Sequence, residues 1–206
     1  GRQEILRQPH GLFFHSDLSQ LADFMRIGQQ SHTQMVNHCV YFQKNCVNIV
    51  IMLTKQLLIV SHAPSPNTLE LLEAVRSGAQ HSDIEGIDVI VRTPFDATVD
   101  DVLDANAIIL GTTENLGYMS GALKDFFDRI YYPCLEHTRG LPYCCYIRAG
   151  HDGTGTKRAI DTIVTGLRWR AVQEPLVCRG TYEDRFVEEC RELGMAMAAG
   201  LESGIF

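Results

Sequence analysis

The chain is poor in the features that would commit it to a membrane, a disulfide framework or a nucleic acid. No apolar run exceeds about six residues, far short of the roughly 20 needed to span a bilayer. Its 7 Cys, an odd number among 206 residues, are too sparse for a disulfide scaffold. No Cys-x-x-Cys pair occurs, which argues against structural zinc. Basic charge is also short: Lys plus Arg number 18 against 25 Asp plus Glu, a formal net charge of -7. Nucleic-acid binding relies on Lys and Arg neutralising phosphates, so no such partner is expected. What remains is a globular profile, 45% hydrophobic and 21% charged, long enough for one sizeable core. The expectation is a reduced, soluble, cytoplasmic protein without metal or membrane contact.

Composition changes near residue 51. Residues 1–51 hold 7 of the 10 Gln and 4 of the 8 His, with charges of +4 and -3 against +14 and -22 over residues 52–206. A patchy helical pattern around Leu18, Leu21, Ala22 and Met25 gives way to a Gln/His/Asn-rich stretch from Gln29 to Asn48. Met52-Leu53-Thr54-Lys55 then reads like a native start just before a strand. Residues 1–51 are therefore expected to be a dispensable extension, non-native or from an over-extended reading frame, with an accessory arm as the alternative. No continuous apolar stretch of secretory type stands there.

From residue 52 onward, strand and helix alternate. Gln56–Ser61 is a short apolar run of the buried parallel type. Asn67–Ala79 follows with Leu71, Leu72, Val75 and Ala79 on one helical face. Ile87–Arg92 is the second strand, and Thr98 caps a short helix carrying Val99, Val102 and Leu103. The third strand, Ala107–Leu110, ends at Gly111; Ser120 caps a helix with Leu123, Phe126, Phe127 and Ile130 inward, which Pro133 ends. Pro142–Ile147 and Lys157–Arg170 make the fourth pair, and Ala171–Cys178 the fifth strand, placed at an edge or bulge by Pro175. The last helix runs from Glu183 to about Leu201. Five such units make an α/β, doubly wound, five-stranded parallel sheet of strand order 2-1-3-4-5. Ligands of such sheets sit beyond the carboxyl ends of the strands, where strand order reverses.

Three loops stand at that edge. Ser61-His62-Ala63-Pro64-Ser65-Pro66-Asn67-Thr68 ends in an N-cap and an N1 proline; it is either an ordinary capped helix or an anion site. The loop from Gly111 to Gly121 allows a flat ligand to approach backbone. The loop from Ala149 to Lys157 falls short of a P-loop, because Thr156 stands where Lys is required. It also fails the dinucleotide fingerprint, since Arg158 stands where the third Gly belongs.

At these loops, above all in Gly111-Thr112-Thr113-Glu114-Asn115-Leu116-Gly117-Tyr118-Met119-Ser120-Gly121-Ala122-Leu123-Lys124, the sequence resembles the flavodoxin-like NAD(P)H-dependent FMN reductases and quinone reductases. The resemblance covers Met52 to about Leu201 and leaves residues 1–51 unexplained. It implies FMN as cofactor and NAD(P)H as cosubstrate. His62, Ser65, Asn67 and Thr68 would hold the phosphate. Thr113, Glu114, Asn115, Leu116 and Gly117 would contact the isoalloxazine, and the stretch Ala149 to Gly153, with Ala149, Gly150 and Gly153 as its contacts, would form the opposite wall. Ala63 and Pro66 depart from the family's usual donors, which implies weaker FMN binding. Thr113 and Glu114 replace the common Pro and Thr, and a carboxylate near the ring would lower its potential.

In such a protein the flavin carries the redox chemistry and the chain supplies position and electrostatics. His151 is the candidate proton donor to the acceptor, a quinone or similar small molecule. A flavodoxin-type electron carrier docking on a redox partner is the alternative, and an interaction module that has lost FMN a further one. A response-regulator-like domain is excluded, because Ser61 and His62 stand where an acidic pair is needed. The resemblance also implies a homodimer or homotetramer, in which neighbouring subunits cover the flavin.

Overall fold

The computed structural model describes residues 41–44, 47–50 and 54–206. The helical pattern expected around Leu18–Met25 and the start at Met52 lie outside the described residues. The chain divides into two units, Gly1–Ile51 and Met52–Phe206. In the first, β1 (Tyr41–Lys44) and β2 (Val47–Val50) form an antiparallel ladder with Tyr41 opposite Val50. The polar composition of this stretch carried no strand signal.

In the second unit, β3 (Lys55–Ser61) is the central strand. Its Leu57, Leu58, Ile59 and Val60 are wholly buried, as a continuous apolar run requires when both sheet faces are covered. It is followed by α1 (Pro66–Ala79), β4 (Ile87–Arg92), α2 (Val99–Asp104) and β5 (Ala107–Asn115). Next come β6 (Tyr118–Met119), α3 (Gly121–Cys134), β7 (Pro142–Ala149) and α4 (Thr154–Gly166). The unit closes with β8 (Arg170–Ala171), β9 (Leu176–Arg179) and α5 (Arg185–Glu202).

The parallel sheet runs β4-β3-β5-β7, with β8 and β9 both on the outer side of β7. This is the expected order. Side chains alternating across the strands divide the core in two. Leu58, Val60, Ile108 and Leu110 pack with Phe126, Phe127 and Ile160 on one face. Leu57, Ile59 and Ile109 pack with Leu71, Val75, Phe186 and Leu193 on the other. Three layers result, with α1 and α5 covering one face and α3 and α4 the other.

Four departures from the sequence reading have physical causes. The third strand does not stop at Gly111 but continues to Asn115, where a hairpin with β6 extends its ladder. The fifth strand is split: β8 pairs with Pro142 and Tyr143, β9 with Tyr146–Ala149. Pro175, which has no N–H to give a ladder, falls in the gap. Helix α4 begins at Thr154 and ends at Gly166 rather than spanning Lys157–Arg170, because the left-handed Gly153 (φ 73°) turns the chain into it early. Of the apolar residues carried by α2, Val99, Val102 and Leu103, Val102 alone is fully buried and Leu103 is 41% exposed, because a helix of six residues has little face to turn inward.

Candidate functional site

Strand order reverses at β3, which feeds β4 on one side while β5 and β7 follow on the other. The crevice for a ligand therefore opens at the carboxyl ends of β3 and β5. The two ends are tied closely: the His62 N–H donates to the Gly111 carbonyl at 3.0 Å. Beneath Gly111 lies a buried hydrogen bond of 2.6 Å between the Ser61 and Tyr146 hydroxyls. A Cβ at Gly111 would collide with both oxygens, so only glycine keeps this edge flat.

Three buried side-chain polar atoms lack a hydrogen-bond partner among the described residues: His62 Nδ1, Thr113 Oγ1 and Thr156 Oγ1. They stand after β3, near the end of β5, and in the first turn of α4. All three thus lie at the same edge of the sheet. An unsatisfied buried polar group costs about 1–3 kcal/mol, so their concentration at one edge points to a ligand that supplies the partners. Burial also lowers the pKa of His62, which favours a neutral imidazole.

The loop after β3 is organised by a capping box. The Thr68 N–H donates to the Ser65 hydroxyl at 3.4 Å, and the Ser65 N–H to the Thr68 hydroxyl at 2.9 Å. This fixes the first turn of α1 and commits much of the loop's donor capacity. Pro64 and Pro66 have no N–H, so the backbone donors left free among the described residues are those of Ala63 and Asn67. Ser65 and Asn67 are exposed, whereas Thr68 is buried.

The β5–β6 connection is a two-residue hairpin with Leu116 at φ 54° and Gly117 at φ 73°. Positive φ at both central residues defines a type I′ turn, which favours Asn-Gly. Leu116 instead holds a fully exposed apolar side chain in a strained conformation. Behind the hairpin, the Ser120 N–H donates to the buried Thr112 hydroxyl at 3.1 Å, and the Ser120 hydroxyl caps α3 by accepting from the Leu123 N–H at 3.2 Å. The hairpin also packs on α4, where a Cβ at Gly155 would strike the Gly117 carbonyl.

Glu114 joins hairpin and loop. Its carboxylate accepts from the His151 N–H at 2.8 Å and from the Gly153 N–H at 3.2 Å. The next residue along, Asp152, accepts from the Thr154 N–H at 2.9 Å. The turn after β7 is thus pinned by two carboxylates on backbone donors.

A cavity of about 570 Å³ opens here. Of the residues expected at the site, it brings together Glu114, Gly117, Gly150 and His151. It includes Asp152, within the stretch expected as the opposite wall, and adds Gly155, Arg179 and Gly180, which the sequence reading missed. His62, Ser65, Asn67, Thr68 and Thr113 do not line it, nor do Asn115, Leu116, Ala149 and Gly153, the last two being buried in the wall. The His151 side chain is exposed. Among the described residues no group of three His, Cys, Asp or Glu could hold a metal ion, and no helix is long and apolar enough to cross a membrane.

No known protein-family profile matches the chain. A flavodoxin of Aquifex aeolicus is 30% identical over 112 residues, which cover 54% of this chain and 60% of that protein. Among solved structures, a flavodoxin from the domain Archaea superposes with a TM-score of 0.61 at 20% identity, over 71% of this chain and 98% of that one. Two-electron reduced Megasphaera elsdenii flavodoxin gives 0.58 at 21% identity, over 69% and 98%. A flavodoxin, WrbA-like protein from Agrobacterium tumefaciens gives 0.58 at 15%, over 73% and 98%. The chain has a flavodoxin-like fold, as expected.

Proposed function

We propose that this chain binds FMN across the carboxyl ends of β3, β5 and β7 and acts as an NAD(P)H-dependent oxidoreductase for a quinone or similar small acceptor. The observation that carries the reading is the set of orphaned atoms His62 Nδ1, Thr113 Oγ1 and Thr156 Oγ1 at the ligand edge of the sheet. When bound, FMN supplies the two-electron chemistry between nicotinamide and acceptor.

The chain's own residues bind and orient. The N–H groups of Ala63 and Asn67, with the exposed Ser65 hydroxyl, face the phosphate at the start of α1, where the helix dipole assists; the buried Thr68 hydroxyl donates instead to the Ser65 carbonyl at 2.9 Å and shapes the loop. With so few donors, the phosphate is held less firmly than in the flavin reductases this sequence resembles. Glu114 and Gly117 form one wall of the ring site and Gly150 to Asp152 the other, kept in register by Glu114. The exposed His151 imidazole is placed to give a proton to the acceptor. The five described cysteines are all free, in keeping with a reducing cytoplasm. A homodimer or homotetramer would cover the flavin.

The second reading, an electron carrier without its own donor chemistry, is favoured by the likeness to the Aquifex relative, a flavodoxin. Anaerobic reduction separates the two. The protein is loaded with FMN, freed of unbound flavin, and treated with NADPH, then NADH. Bleaching supports the oxidoreductase; retained colour supports the carrier; failure to retain any flavin sinks both.

A further inference from the structure

We infer that Arg179 anchors a phosphate group of an elongated nucleotide whose redox-active end lies beside Glu114 and His151. Arg179 is the last residue of β9, opposite Ala149 of β7. Side chains alternate along a strand. Cys178 is buried in the α1/α5 layer, and Val177 lies against Gly153 on the opposite face. Arg179 therefore leaves the sheet on the same side as Val177, over the turn after β7.

Two neighbouring cavities, of about 570 and 540 Å³, share Asp152, Arg179 and Gly180. Arg179 stands where they join. Each falls in the size range of small-molecule sites, and together they suit a ligand with two parts. The other charges are committed. Glu114 and Asp152 accept from backbone N–H groups. Arg185 is paired with Glu183 at 2.7 Å and Glu189 at 3.1 Å. Among the described residues, Arg179 alone of the charged groups lining the second cavity makes neither an ion pair nor a hydrogen bond.

Its backbone is held firmly nonetheless. The Gly180 N–H donates to the Ala149 carbonyl at 3.0 Å. Arg148 donates to the carbonyls of Ala149, Cys178 and Gly180 at 2.7, 3.0 and 2.6 Å. Hydrogen bonds from Thr154 and, more weakly, the Arg179 charge hold the Asp152 carboxyl below its ordinary range without an ion pair closing between Arg179 and Asp152. A guanidinium so placed on a fixed strand end is suited to bidentate recognition of phosphate.

The inference deepens the oxidoreductase reading and rests on it in taking the nucleotide to be the reduced nicotinamide donor. The test is equilibrium dialysis of 2′,5′-ADP against flavin-free and FMN-loaded protein, for wild type, Arg179→Met and, as a control outside both cavities, Arg191→Met, an arginine paired with Glu188. Wild type is expected to bind, Arg179→Met about tenfold more weakly, as loss of a charged hydrogen-bonding group implies, and Arg191→Met nearly as wild type. Kinetics follow the same pattern: KM for NADPH rises about tenfold in Arg179→Met with kcat unchanged. No binding by wild type, or equal binding by wild type and Arg179→Met, overturns the inference. Arg179-dependent binding in a protein whose flavin NADPH never bleaches keeps the phosphate subsite and removes the oxidoreductase reading.

Discussion

The Glu114 carboxylate accepts a hydrogen bond from the backbone N–H of His151 at 2.8 Å. It reaches from the end of β5 to the turn after β7 and, with its second bond to Gly153, makes these two walls one piece. Removing the carboxylate hands the exposed His151 N–H to water and leaves the N–H of the buried Gly153 without its partner, a loss of about 1–3 kcal/mol. Glu114→Ala is expected to lower stability by that amount, read as a lower urea midpoint at unchanged m, and to weaken FMN binding. Glu114→Gln, which keeps an acceptor oxygen, should fall between. Bound flavin in Glu114→Gln should have a higher reduction potential than in wild type, because a negative charge beside the ring is gone; a spectroelectrochemical titration measures this.

Gly155 serves the same junction from the helix side. A Cβ there meets the Gly117 carbonyl, backbone that can yield only by moving the hairpin. Gly155→Ala is expected to cost about 1–3 kcal/mol, in the range of overpacked sites, and to reduce flavin affinity as well. Unchanged affinity would show that the hairpin does not form part of the flavin site.

Much of this architecture was legible because β3, β4, β5 and β7 are apolar runs bounded by turn residues. Ser65, Thr98 and Ser120 also read as caps, and each side chain does cap its helix. The β5–β6 hairpin was not legible, since its turn carries Leu116-Gly117 in place of Asn-Gly and β6 has two residues. Helix α4 starts in Thr154-Gly155-Thr156, a composition that reads as loop. Arg179 and Gly180 were missed because Pro175 obscures where the fifth strand resumes. Glu114 is legible only through the family resemblance of its loop; its hold on the facing turn depends on β5 running on to Asn115, which its sequence does not signal.

The turn itself offers a stabilising change. Leu116 is fully exposed, so its side chain contributes no burial, while its left-handed φ of 54° carries a penalty. Asn tolerates that conformation. Leu116→Asn is expected to raise stability by about 1 kcal/mol, read as a higher denaturation midpoint.

His62 makes stability depend on pH. Burial lowers its folded pKa below the ordinary 6.5. Between the two values the unfolded chain holds the extra proton, so stability is greatest above pH 6.5 and falls as pH drops from there toward the folded value. His62→Asn should flatten the urea midpoint between pH 8 and 5 relative to wild type. Bound phosphate near the ring would oppose the effect of burial, so FMN should raise the His62 pKa, observable in the imidazole proton signals by NMR.

The most direct test of the FMN site is retention of the cofactor. Wild type and the double variant His62→Leu/Thr113→Val are incubated with FMN, desalted, and assayed for flavin per chain. Wild type is expected to keep close to one equivalent and the variant, though folded, much less. Equal retention by the two proteins, or none by wild type, would contradict a flavin site at the carboxyl ends of β3 and β5.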